Sequence, residues 1–189
     1  MRLAILGGSF NPPHEGHLLL ARAALAAGYD KVLLVPAAQP PHKGSLEGAG
    51  QADRWAMTLL LSGLQDGLEA WDGELRRGGR SYSIDTVREV TAAFEPEGKP
   101  GLILGDDLAA GFGSWREADR LAEEADLLLA RRSSGGPPDF PWPCRRLDNP
   151  LFPQSSTDVR NRIADGLPLD GEVPAPIAEY IRRKGLYAG

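Results

Sequence analysis

Residues 3–17 read LAILGGSFNPPHEGH, and this stretch decides the fold. The apolar run at 3–6 predicts a buried strand, and Gly7 and Gly8 at its end let the backbone approach a ligand without a Cβ in the way. A helix is expected from about Gly16, because apolar residues then recur at helical spacing. The free N–H groups and the positive dipole end of that helix face the loop, as is typical of a phosphate-binding site.

Two of the three histidines of the chain, His14 and His17, stand at this helix start. They are three residues apart, so they lie on one face of the first turn. The third, His42, lies beside Lys43 in a loop rich in proline and glycine at 36–50. A helix dipole lowers the pKa of a nearby histidine and a bound polyphosphate raises it, so the sequence leaves the charge of the pair open.

The composition is that of one ordinary α/β domain. The chain has 189 residues and a net charge of −5, which argues against a dedicated nucleic-acid or anionic-membrane binder. Cys144 is the only cysteine, so neither an intrachain disulfide nor a cysteine-based zinc cluster is possible. The apolar run before Gly7 is too short for a signal peptide or a membrane span, and we expect a cytoplasmic protein.

Short apolar runs alternate with helical patterns along the chain. The predicted strands are 2–6, 31–35, 67–71, 101–104, 125–130 and, more weakly, 144–147, and the predicted helices are 16–27, 51–64, 83–94, about 114–124, 158–165 and 174–184. This alternation predicts a Rossmann-like, doubly wound parallel sheet in a single domain, 1–189, closed by C-terminal helices from about residue 156. Ligands of such sheets bind beyond the carboxyl ends of the strands, where the 7–8 glycines stand.

Three further motifs stand at predicted element ends. Residues 155–160 read SSTDVR, where serine and threonine before a helix are N-caps; alone, this motif is more typical of a surface helix. Residues 81–86 read SYSIDT, with Ser83 as the expected N-cap of a helix whose amides could hold an anion. Gly105-Asp106-Asp107 follows a predicted strand at the same sheet edge. The stretch 131–143, rich in glycine and proline, is expected to be a surface excursion.

The 7–17 loop resembles the signature G-[GT]-[ST]-F-[ND]-P-x-H-x-G-H of the HxGH nucleotidyltransferases, and its Pro-Pro-His form is similar to the bacterial nicotinate-nucleotide adenylyltransferase family. The resemblance extends through the later motifs to the closing residues 173–187. It implies transfer of the adenylyl group of ATP to nicotinate mononucleotide, with release of pyrophosphate, in NAD biosynthesis. It also implies Mg²⁺ that is held mainly by the ATP phosphates rather than by the protein.

The same resemblance assigns roles to individual residues. The implied catalytic residues are His14, His17 and Arg160. The implied ATP-binding residues are Gly7, Gly8, Ser9, Phe10, Lys43, Gly105, Asp107, Ser155, Ser156 and Arg160. The implied acceptor-binding residues are Ser81, Tyr82, Ser83, which stands where the family has threonine, and Trp115, which stacks on the pyridine ring.

Other functions remain open at this point. The first alternative is another HxGH enzyme, such as a pantetheine-phosphate adenylyltransferase or a cytidylyltransferase, against which the 81–86 motif and Trp115 count. The second is a sensor that binds nucleotide without turnover, which has no need for His14, His17 and Arg160 together. A dinucleotide-dependent dehydrogenase is disfavoured because no G-x-G-x-x-G follows a strand. The sequence gives no oligomeric state.

Overall fold

The computed structural model describes residues 1–39, 48–132, 134 and 139–188. Its strands in this part of the chain are β1 Leu3–Gly8, β2 Lys31–Pro36, β3 Leu68–Ala70, β4 Gly101–Gly105, β5 Asp126–Ala130 and β6 Cys144–Arg146. They form a parallel sheet of order β3-β2-β1-β4-β5-β6. The chain runs outward from β1 to β3 and then returns to β4 on the other side of β1. The predicted doubly wound sheet is therefore confirmed, and its switch point lies between β1 and β4.

The helices lie on both faces of this sheet. They are α1 Glu15–Ala26, α2 Gln51–Ser62, α3 Gly73–Arg77, α4 Ser83–Phe94, α5 Ala118–Glu124, α6 Ser156–Ala164 and α7 Ala175–Lys184, with a 3-10 helix at Asp106–Ser114. The short α3 and the 3-10 helix are not apparent from the sequence pattern. The helix expected from about 114 begins only at Ala118, because Glu117 adopts a left-handed φ of 51°. None of the helices that the structure describes could cross a membrane.

Alternate side chains of β1 supply two separate hydrophobic cores. Leu3 and Ile5 pack on the face that α4 and α5 cover, whereas Ala4 and Leu6 pack on the face covered by α1, α2, α6 and α7. All four side chains are at most 4 % exposed. A strand buried on both faces has no polar side, which explains why the first strand is a continuous apolar run. Polar groups can therefore meet a ligand beyond the carboxyl ends of the strands, next to β1 and β4.

Part of the expected surface excursion at 131–143 is packed rather than free. The rings of Phe140 and Trp142 contact Phe112 of the 3-10 helix, with centroid separations of 5.2 and 4.9 Å. Phe112 itself has no exposed surface. Aromatic side chains bury large apolar areas, and this gain favours folding the excursion back onto the domain. His42 and Lys43 lie outside the described residues, as do residues 133 and 135–138.

Candidate active site

The candidate site lies at the carboxyl ends of β1 and β4, which are neighbours in the sheet. Gly7, Gly8 and Ser9 follow the buried part of β1 and are at least partly exposed. Gly105 ends β4, and a Cβ there would lie 2.1 Å from Asp107 Oδ1 and 2.8 Å from Arg132 Cδ. A side chain at position 105 would require Asp107 and Arg132 to move. The structure therefore brings the 7–8 glycines and Gly105 together at the carboxyl end of the sheet.

The two histidines form a close pair at the start of α1, with ring planes inclined by 47°. His14 occupies the N-cap position, is 1 % exposed, and its ring centroid lies 3.9 Å from that of His17. The backbone N–H of His14 donates to His17 Nδ1 over 3.2 Å. A neutral imidazole whose Nδ1 accepts carries its proton on Nε2. His17 Nε2 lies 3.6 Å from the position of a Cβ at Gly8, so this N–H points towards the glycine loop.

Both rings are neutral near pH 7. Burial, together with the charge of Arg132, lowers the pKa of His14 to about 3, although Asp158 opposes the shift. Burial also lowers the pKa of His17 well below 6.5, with His14 and Arg132 adding to the effect. The question that the sequence leaves open is thereby answered for the nucleotide-free protein. The pair can act as N–H donors and does not contribute fixed positive charge.

The neutral histidines make the stability of the protein depend on pH. Below pH 6.5 these histidines are protonated in the unfolded chain but not in the folded protein. The free energy of unfolding therefore falls as the pH decreases towards the folded-state pKa of about 3 for His14. Between roughly pH 7.5 and 5.5 each such histidine costs about 1.4 kcal/mol of unfolding free energy. We expect His14→Gln to remove about half of the combined loss. Urea unfolding at the two pH values measures it, and an unchanged loss would show that folded His14 is not held neutral.

Close packing fixes the pair in place. A Cβ at Gly16 would lie 2.7 Å from the Phe152 ring and 2.9 Å from the ring of His14. A larger residue at position 16 would therefore displace these rings. Phe10 has no exposed surface, and its ring lies 4.7 Å from that of His17. Its backbone has a left-handed φ of 46°. The side chain supports His17.

The start of α6 carries the second predicted phosphate element. Ser155 is the N-cap: its Oγ accepts from the Asp158 N–H over 3.3 Å, and its own N–H donates to Asp158 Oδ2 over 2.7 Å. This reciprocal capping box satisfies two free N–H groups of the helix end. The Ser155 hydroxyl also donates to Asp158 Oδ2, so it stabilises the helix end in the nucleotide-free protein.

Two side chains of α6 join this helix to the histidine loop. Ser156 Oγ donates to the carbonyl of Pro12 over 2.9 Å. Arg160 Nη1 donates to the carbonyl of Asn11 over 2.8 Å, and Nη2 donates to Thr157 Oγ1 over 3.1 Å. The sequence separates these partners by more than 140 residues. The structure thus places Ser156 and Arg160 at the entrance to α1, next to the His14–His17 pair.

Arg132 is a site residue that the sequence reasoning missed. It follows β5, its N–H donates to Asp106 Oδ1 over 2.9 Å, and its Nε lies 3.8 Å from Asp107 Oδ1. Its charge lowers the pKa of both histidines, which places a cation close to the pair. The available signal was its position two residues after the end of a strand, near the carboxyl end of the sheet, as is Gly105. A stretch rich in serine, glycine and proline concealed that signal.

A separate cavity of about 310 Å³ opens at the start of α4. Its lining combines hydroxyl groups, aromatic rings and one cation: Ser81, Tyr82, Ser83, Ser114, Trp115, Arg116 and Leu121. The expected N-cap is wrong by one residue, because Ser83 is the first helical residue and Tyr82 holds the N-cap position without a side-chain hydrogen bond to the helix. A phenol ring is too long to reach back to the first amides. The first amides of α4 therefore have no side-chain cap at the cavity.

Trp115 packs against a cluster of aromatic side chains. Its ring centroid lies 5.3 Å from that of Phe112, which in turn contacts Phe140 and Trp142. The Trp142 indole N–H donates to Asp119 Oδ1 over 2.9 Å and so attaches the segment 139–143 to α5. Trp115 can therefore present one face to the cavity while the cluster limits its movement.

Metal binding can be judged from the acidic side chains. Within the described ranges, no group of three His, Cys, Asp or Glu side chains is arranged to hold a metal ion. Asp106 and Asp107, the carboxylates after β4, are engaged with Arg132. Carboxylate oxygens such as those of Asp106 and Asp107 are ligands that Mg²⁺ accepts, directly or through water.

Comparisons with known proteins agree with this geometry. The cytidylyltransferase-like family matches residues 5–162. A protein of Treponema pallidum is 37% identical over 202 residues, covering 99% of both chains, and one of Borreliella afzelii is 34% identical over 188 residues, covering 99% of this chain and 97% of its own. Each is named a probable nicotinate-nucleotide adenylyltransferase.

A solved structure shows the same fold at low sequence identity. The nicotinic acid mononucleotide adenylyltransferase of Plasmodium falciparum, complexed with NaAD, has a TM-score of 0.77 at 17% identity, covering 98% of this chain and 97% of its own. The sheet, the histidine loop and the relatives lead to one assignment. The chain belongs to the cytidylyltransferase-like family and, within it, to the family of nicotinate-nucleotide adenylyltransferases.

Proposed function

We propose that this protein transfers the adenylyl group of ATP to nicotinate mononucleotide, giving nicotinate adenine dinucleotide and pyrophosphate. The observation that carries the proposal is the neutral His14–His17 pair beside the β1 glycines, with Arg160 reaching the same loop. Relatives of the same name over the full chain support it. The reaction belongs to NAD biosynthesis.

The reaction is an in-line displacement at the α-phosphorus. An oxygen of the acceptor phosphate forms a new bond to the α-phosphorus. The bond between the α-phosphorus and the oxygen that bridges it to the β-phosphate breaks, and pyrophosphate leaves with the electron pair. The protein forms no covalent bond and acts by positioning and charge stabilisation. His17 Nε2–H donates to an α-phosphate oxygen in this scheme, and His14 does so towards the β-phosphate.

The remaining phosphate contacts come from the loop backbone and from arginine. We assign the N–H groups of Gly7, Gly8 and Ser9 to the triphosphate, because no side chain of a glycine pair blocks the approach. Among the contacts that the structure describes, Arg160 uses two of its five N–H donors, so it can also bind the distal phosphates. Ser155 and Ser156 offer the start of α6 to the same phosphates. Lys43, beyond the described residues, remains a proposed charge clamp.

Two groups complete the proposal for the ATP side. Gly105 and Asp107 would contact the nucleotides from the end of β4, where the backbone is accessible. Nucleotidyltransferases typically act with a divalent metal ion, and we propose Mg²⁺ held mainly by the ATP phosphates. When bound, this ion neutralises phosphate charge. Asp106 and Asp107 would hydrogen-bond its waters.

We assign the acceptor to the cavity at α4. Trp115 would stack on the pyridine ring, and Ser81, Tyr82 and Ser83 would surround its substituent. The first N–H groups of α4 lack a side-chain cap, so they can hold the nicotinate carboxylate. A carboxamide would present its NH₂ to the same donors and leave them unpaired. Each unsatisfied donor costs roughly 1–3 kcal/mol, so we expect nicotinate to be preferred about tenfold or more.

A pyrophosphate-release assay tests this proposal. The purified protein is given ATP or CTP together with nicotinate mononucleotide, its amide analogue or phosphopantetheine. We expect pyrophosphate release with ATP and nicotinate mononucleotide. The kcat/KM for the amide analogue should be lower by a factor of about ten or more. Trp115→Ala should weaken both pyridine acceptors equally, because stacking does not distinguish the ring substituent. Release only with phosphopantetheine, or only with CTP, would overturn the proposal.

A further inference from the structure

Arg116 is the one cation among the described side chains that line the acceptor cavity. Its guanidinium carbon lies 4.8 Å from the centroid of the Tyr82 ring, within the range of a cation–π contact. Arg116 directly follows Trp115, so the stacking ring and the charge enter the cavity from adjacent positions. The side chain is 51% exposed and is thus accessible to a ligand.

The ion pairs of Arg116 are loose in comparison with those of its neighbour Arg88. Arg88 joins α4 to α5 through contacts of 2.8 Å to Glu117 and 2.7 Å to Glu124. Arg116 Nη1 lies 3.4 Å from Asp85 Oδ2, and its Nε lies 3.9 Å from Glu117 Oε1. The closest connection between the two helices is therefore made by Arg88, whereas Arg116 has one long hydrogen bond, to Asp85, beside its contact with the face of Tyr82. A cation with long contacts at a cavity wall can exchange them for a ligand carboxylate at little cost.

We infer that Arg116 is a specificity-determining residue that reads the carboxylate of the acceptor ring. The inference rests on the proposed function and assigns this side chain a share of the acceptor selectivity. With the ring on Trp115, the substituent would lie among the other lining groups of the cavity, which include Tyr82, Ser83 and Arg116. A carboxylate accepts charge-assisted hydrogen bonds there from both the helix amides and Arg116. A neutral carboxamide gains much less from the same cation.

The inference predicts a change in selectivity rather than a general loss of activity. We expect Arg116→Gln to lower the ratio of kcat/KM for nicotinate mononucleotide over its amide analogue by about tenfold, chiefly through the KM of the nicotinate form. Arg116→Lys keeps the charge and should retain a ratio between those of the wild type and the glutamine variant. The matched control is Arg120→Gln, which removes the same charge from a 70% exposed position on α5 away from the cavity. Its ratio should equal that of the wild type.

The outcomes separate this inference from the proposed function. A wild-type protein that forms no dinucleotide from nicotinate mononucleotide contradicts the proposed function itself. A ratio in Arg116→Gln that equals the wild-type ratio overturns only the inference and leaves the selectivity to the helix amides. A lysine variant as unselective as the glutamine variant would also contradict reading by charge. Thermal unfolding of each variant shows whether the fold is intact.

Discussion

In the His17→Ala variant, kcat falls by a factor of about 10²–10³, while the KM for ATP changes much less. The reason is that the Nε2–H of His17 points to the glycine loop, where charge develops on the α-phosphate as the bond to the β-phosphate breaks. A donor whose hydrogen bond strengthens in the transition state affects turnover more than ground-state binding. Steady-state kinetics with saturating nicotinate mononucleotide measure both constants.

Glu15 provides the matched control for this experiment. It lies in the same first turn of α1, but its side chain lines a groove formed with α6 and α7 rather than the histidine site. Glu15→Gln should therefore keep the wild-type kcat. Near-normal turnover in His17→Ala would remove His17 from the catalytic role, whatever the control shows.

In the Arg160→Ala variant, the KM for ATP rises by roughly tenfold to a hundredfold, with a smaller change in kcat. Arg160 donates to the carbonyl of Asn11, which fixes its guanidinium beside the loop that we assign to the triphosphate. A contact to the distal phosphates contributes similarly in the ground state and in the transition state, so its loss appears mainly in binding.

Arg162 tests whether any arginine of α6 would have the same effect. Its guanidinium donates to the carbonyl of Pro168 over 3.0 Å, away from the histidine loop. Arg162→Ala removes the same charge from the same helix and should leave the KM for ATP within about twofold of wild type. An unchanged KM in Arg160→Ala, or an equal rise in both variants, would contradict a specific phosphate contact.

The parts of the fold that follow from local pattern could be predicted from the sequence. The strand at 2–6 could be predicted because a strand that is buried on both faces needs a continuous apolar run. The glycine pair after it could be predicted because the loop needs small residues. Strand–helix alternation then fixes the parallel sheet. The juxtaposition of the 155–160 motif with the histidine loop is expected from resemblance, whereas the contacts of Ser156 with Pro12 and of Arg160 with Asn11 come from the structure.

The features that depend on tertiary packing could not be predicted. The charge of Arg132 acts on the histidines because β5 lies beside β4, and a loop sequence carries no sign of that neighbour. The protonation of the histidines depends on how deeply Phe10 and Phe152 enclose them. Ser83 is a better capping residue than tyrosine, yet the helix starts one residue earlier than capping preference suggests. Packing of Ile84 and Val87 against the sheet decides the register instead.

The most direct test of adenylyl transfer to nicotinate mononucleotide follows the two ends of ATP separately. The protein is incubated with nicotinate mononucleotide and ATP that carries a radioactive label on either the α- or the γ-phosphate, and the products are separated by chromatography. The proposed reaction places the α-label in nicotinate adenine dinucleotide and the γ-label in pyrophosphate, in equal amounts. Label from the γ-phosphate in inorganic phosphate or in the acceptor, with no labelled dinucleotide from the α-phosphate, would contradict it.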